Sequence, residues 1–60
     1  MKVYVEDVIL FLKGLGLDTS EFQQKFSEEI VDYKNISQVI LEHYSADTLR
    51  LLDTAYVLSL

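Results

Sequence analysis

Few side chains in this chain can do chemistry, and they are scattered. His43 is its single histidine and cysteine is absent. A zinc site needs three or four ligands drawn from Cys, His and carboxylates, so no metal and no cofactor is expected. His43 could act as a pH-sensitive group or a ligand. The simpler reading is a histidine placed near the negative end of a helix. Glu28, Glu29 and Asp32 form the densest carboxylate group. Paired carboxylates can shuttle protons, but only in a pocket that shifts their pKa values. A very small domain is not expected to build one. These three therefore read as a solvated face or as a docking patch for a basic protein. No catalytic residue is assigned, and the chain reads as a protein that is not an enzyme.

The charge balance narrows the partners. Ten acidic residues stand against five basic ones, a net charge of −5. Neutralising phosphates takes Lys and Arg, so nucleic acid is not expected, nor is an anionic membrane. The longest uninterrupted apolar run, Val8 to Leu12, is far short of the roughly 20 residues of a membrane span. No apolar core of signal-peptide length follows Met1 and Lys2. The expectation is a cytoplasmic protein.

Helical spacing organises the sequence. Val5, Val8, Ile9 and Leu12 fall at i, i+3, i+4 and i+7, one face of a helix over about 5–14. Glu6 and Asp7 suit its first turn and Lys13 its last. Gly14 or Gly16 can close it in a left-handed cap. Phe22, Phe26, Ile30 and Tyr33 continue a stripe that predicts a second helix over about 20–33, entered through a capping box at Asp18 or Ser20. Val31 lies off that stripe, either as a stray exposed residue or as a sign that the helix ends before it. Asn35 is the predicted cap of a third helix over 36–44, and Ser45 of a fourth over 46–59. Val3-Tyr4-Val5 could be a short strand, but no second strand offers itself as a partner. Proline, linkers and repeats are absent. The expected fold is therefore all-α: one domain over 1–60, a compact bundle of four short helices.

Asp7-Val8-Ile9-Leu10-Phe11-Leu12-Lys13-Gly14-Leu15-Gly16-Leu17 resembles the opening of sterile alpha motif (SAM) domains. These carry Asp-Val, then an aromatic-leucine pair, then Leu-Gly-Leu at this spacing. Phe22 and Phe26 resemble the aromatic pair that follows, two residues late. Val31-Asp32-Tyr33 occupies the slot of that family's Ile-Asp-Gly, with Tyr33 in place of glycine. Ser45 to Leu49 resembles the start of its fourth helix, and its long last helix has no counterpart here. The resemblance implies a SAM-like fold and protein–protein association, often by self-oligomerisation. It implies no chemistry.

The fourth predicted helix carries the clearest functional signal. At 100° per residue, Leu49, Leu51, Leu52, Ala55, Tyr56, Leu58 and Leu60 cover roughly 200° of its circumference. One buried face needs only about 100°. The surplus predicts a contact surface built from Leu51, Ala55, Tyr56, Leu58 and Leu60. The expected function is protein–protein interaction, as a homodimer or as a small regulator of a larger protein. An alternative is a DNA-binding regulator, because Ser37 to Arg50 weakly resembles a helix-turn-helix. Its recognition helix would hold Arg50 as its one cation, with Asp47 and Asp53 repelling phosphate.

Overall fold

Lys2-Val3-Tyr4 and Ile30-Val31-Asp32 each alternate exposed, buried, exposed. That is the period of a strand with one face on a core. In the computed structural model, which describes residues 1–58, the two segments pair. The element order is β1 (Lys2–Tyr4), α1 (Val5–Gly14), α2 (Ser20–Lys25), β2 (Ile30–Asp32), α3 (Tyr33–His43) and α4 (Ala46–Tyr56). β1 and β2 form an antiparallel ribbon with Val3 opposite Val31, Lys2 opposite Asp32 and Tyr4 opposite Ile30. The expected all-α bundle is overturned: among the described residues four helices accompany a two-stranded antiparallel sheet whose other face is exposed.

The second predicted helix is where the expectation failed. It stops after Lys25, because Phe26 turns extended (φ −122°, ψ 111°). Phe26 still packs on Phe22, ring centroids 5.0 Å apart. The remaining residues of the predicted 20–33 helix do other work. Ile30 and Val31 are β-branched residues suited to a strand, and Val31 is buried against the core. Tyr33 opens α3, which starts earlier than the predicted 36. Its cap is Asp32, whose Oδ1 accepts a hydrogen bond from the Lys34 N–H at 3.1 Å. The predicted cap, Asn35, lies exposed in the first turn of α3.

Each strand runs straight into a helix with no intervening loop. The ribbon also satisfies the first backbone donor of each helix. Val5 N–H donates to the Glu29 carbonyl at 2.9 Å, and Tyr33 N–H donates to the Met1 carbonyl at 2.7 Å. These bonds are related by the local two-fold of the ribbon. Burial follows the same relation. Val3, Val5, Val8 and Leu12 are buried, and so are Val31, Tyr33, Ile36 and Ile40, each 28 positions further on. The sequence shows no repeat because the two halves share a burial pattern and little residue identity.

The other helix ends follow local chemistry. α1 closes in a Schellman motif: Gly16 adopts φ +81°, its N–H donates to the Lys13 carbonyl, and Leu17 N–H donates to the Leu12 carbonyl. Ser45 caps α4 through its Oγ, which accepts from Thr48 N–H at 3.3 Å. Phe22, Leu12, Ile36, Ile40, Leu52 and Val8 are the largest fully buried side chains. α2 and α4 thus supply the centre with Phe22 and Leu52.

Phe22 is the single large core residue of a six-residue helix. Truncating a buried phenylalanine costs about 3–5 kcal/mol. A chain of 60 residues holds roughly 3–9 kcal/mol in all. Phe22→Ala is expected to lose most of its helical circular dichroism at 25 °C without denaturant. Retention of a cooperative urea transition at the wild-type midpoint would show that α2 does not complete the core.

Candidate functional site

α4 presents two different faces. Toward the core it buries Leu52 and Thr48, with Leu49 and Tyr56 packed at the edge. Tyr56 stacks on Tyr33 of α3, centroids 6.0 Å apart and planes 22° apart. Beside this stack Tyr33 Oη donates to Asp53 Oδ1 at 2.5 Å. The opposite face carries Leu51, Thr54, Ala55 and Leu58, all exposed. At helical spacing they lie on one stripe. Leu51 keeps 50% and Leu58 77% of its accessible surface. Leu58 lies just past the last helical residue, and its N–H donates to the Asp53 carbonyl at 3.0 Å. Of the residues assigned from sequence, the structure therefore brings Leu51, Ala55 and Leu58 together. It turns Tyr56 inward, where it completes the contact with α3. Leu60 lies outside the described residues. The helix, expected over 46–59, has its last residue at Tyr56.

The carboxylates do not form one patch. Glu28 and Glu29 sit in the bend before β2, and Asp32 ends that strand. Asp32 faces Lys2 across the ribbon. The hydrogen bond from Lys34 N–H holds its carboxyl below the ordinary range. Glu28 and Asp32 contribute to the wall of an open groove of about 440 Å³ beside β2. Glu29 takes no part in that wall; its backbone carbonyl belongs to the ribbon.

His43 has a partner that no sequence spacing indicates. Its Nδ1 lies 3.0 Å from Glu21 Oε2. Next to it, Tyr44 Oη donates to the Asp18 backbone carbonyl at 2.6 Å. Together these contacts tie the end of α3 to the start of α2 and line a shallow cleft of about 210 Å³. The Asp18 carboxyl is held below its ordinary value by the hydrogen bond from Ser20 N–H. The arrangement is a clamp between two helices, and Glu21 stays largely in solvent. A side-chain contact so exposed adds little stability. Among the described residues no three His, Cys, Asp or Glu side chains converge to hold a metal ion. No helix among them is long and apolar enough to cross a membrane.

Comparison with protein-family models, with curated proteins and with solved structures finds no match to this chain.

Three phenols carry a pH signature. Burial raises the pKa values of Tyr33, Tyr44 and Tyr56, with Asp53 adding to the rise at Tyr33. A pKa raised in the folded state contributes stability that is complete below the unfolded value, about 10 for tyrosine, and is lost as pH climbs beyond it. The urea midpoint is expected to fall steadily above about pH 10. Tyr33→Phe is expected to cost about 1–2 kcal/mol at pH 7, through the lost hydrogen bond to a carboxylate, and to flatten the alkaline fall. An unchanged alkaline slope in Tyr33→Phe would refute this assignment.

Proposed function

We propose that this chain is a cytoplasmic, non-catalytic protein–protein interaction module that associates with a second copy of itself through the outer face of α4. The observation that carries the reading is the exposed stripe of Leu51, Ala55 and Leu58 on a helix whose other face already fills the core. Leaving two leucines of one stripe in water forgoes burial worth about 25 cal/mol per Å² of apolar area. A C2 contact covers the same patch on both partners at once. Small size supports the reading: a domain of this length buries only about 60% of its unfolded surface, so an interface adds a large share of the total burial. The same stripe also suits a larger protein that the chain would regulate, and the test below separates the two occupants.

Sedimentation equilibrium from about 1 μM to about 1 mM, which reads association free energies of about −8 to −4 kcal/mol, is expected to show a species of twice 6.9 kDa. Leu51→Asp and Leu58→Asp are expected to shift the dissociation constant at least about tenfold, a loss of 1.4 kcal/mol or more. Their monomeric unfolding midpoints should stay near wild type. A strict monomer at every concentration would reject self-association and leave the stripe to a larger partner. Equal loss of folding and association would mark both leucines as part of the fold.

A further inference from the structure

The apolar arc of α4 is wider than one buried face needs, so burial alone chooses weakly how the helix is rolled on the core. Leu52, fully buried, marks the centre line. On one side of it, Tyr56 lies at about 40°, Leu49 at about 60° and Asp53 at about 100°. On the other, Ala55 lies at about 60° and Leu51 at about 100°, with Leu58 following on the same side. Turning the helix by roughly 50° toward this second flank would seat Leu51 and Leu52 astride the core and carry Asp53 out to solvent. The polar contacts distinguish the two rolls. Thr54 Oγ1 donates to the Arg50 carbonyl at 3.0 Å, and Thr48 N–H donates to Ser45 Oγ at 3.3 Å. Those bonds are internal to the helix and its cap. Asp53 instead reaches α3, where its Oδ1 accepts from Tyr33 Oη at 2.5 Å. Tyr33 is buried and follows β2 directly, so the ribbon places it.

We infer that the Tyr33 hydroxyl, by holding Asp53, selects the roll of α4 and so decides that Leu51 and Leu58, and not Leu52 and Tyr56, stand on its outer face. The consequence for association rests on the reading of that face as the contact with a second copy. Cores tolerate one leucine in place of another when volume is kept. A short O–H···O bond is directional and weakens steeply once misaligned. A satisfied polar contact at the edge of a core therefore separates packings that apolar burial leaves close together. The stack of Tyr56 on the same Tyr33 ring adds to the choice, because only one flank of the helix carries an aromatic side chain. Tyr33 and Asp53 are positioning residues: they act on the outer face through the helix that bears it.

Hydroxyl-radical footprinting of the full chain, dilute enough to be monomeric, reads the exposure of each leucine and decides the roll whether or not the chain associates. In the wild type Leu51 and Leu58 are expected to oxidise faster than Leu52, which is fully buried. Two variants remove the bond. Tyr33→Phe takes away the hydroxyl. Asp53→Ala takes away the acceptor at a half-buried position, keeps a strong helix former there, and decides the question should Tyr33→Phe not fold. In both, Leu51 is expected to lose its lead over Leu52. Asp53→Asn, whose Oδ1 still accepts, should keep the wild-type order. In sedimentation the first two should raise the dissociation constant at least about tenfold, the ratio that 1.4 kcal/mol gives, and Asp53→Asn should leave it near wild type. The inference is overturned if Tyr33→Phe and Asp53→Ala lower the urea midpoint with the leucine order unchanged, for the bond would then stabilise the fold without setting the roll. It is overturned equally if Asp53→Asn behaves as Asp53→Ala does, or if the leucine order reverses and association stays intact.

Discussion

Everything in this molecule hangs on the pairing of Val3 with Val31. Each half of the chain offers only a strand of three residues and two short helices, and an isolated two-stranded hairpin is marginal in water. The ribbon becomes stable because its inner face is packed. Val3 and Val31 join the cluster that contains Val8, Leu12, Ile36 and Ile40. In return it caps α1 and α3, whose leading N–H groups would otherwise lack acceptors. Two hydrogen bonds related by the ribbon's local two-fold do this, so the sheet and the helix starts are one construction. α2 and α4 then close the remaining sides with Phe22 and Leu52.

This dependence explains what could be read from sequence. α1 was legible at both ends, because its stripe, its charge placement and a closing glycine are local signals; the structure decides between Gly14 and Gly16 in favour of Gly16. Ser45 was legible as a cap for the same reason. The break after Lys25 was not. Phe22, Phe26, Ile30 and Tyr33 keep a helical rhythm through a segment that holds a helix, a bend, a strand and the start of another helix. No glycine or proline marks the changes. The deciding contact lies 28 positions away, at Val3, and periodicity within a window cannot sense it. Tertiary pairing overrode a local propensity.

The candidate surfaces divide along the same line. The outer stripe of α4 was visible as surplus apolar arc, since its residues lie on one helix. Tyr56 belonged to that arc by angle, yet the stack on Tyr33 claims it for the interior. Glu28, Glu29 and Asp32 are neighbours in sequence and separate in role. One is in the bend, one lends its carbonyl to the ribbon and one caps α3. The link between His43 and Glu21 joins residues on two helices, which no spacing rule could reveal. The residues that resemble a SAM opening, Val8, Leu12, Gly16 and Leu17, form a buried stripe and its Schellman cap here.

The loop-free junctions between strand and helix bear on how such a chain can vary in length. At Val5 and at Tyr33 a period of two hands over to a period of 3.6 with no slack between them. One residue inserted at either junction would rotate the following helix by about 100° relative to the sheet. At the first junction that turns Val8 and Leu12 toward solvent; at the second it does the same to Ile36 and Ile40. Changes of length are expected in the segments between elements that no strand leads into, around residues 17–19, 26–28 and 44–45, rather than at these two junctions. The spacing of 28 between the halves can change in the first two of these, while the distance from each strand to its helix cannot.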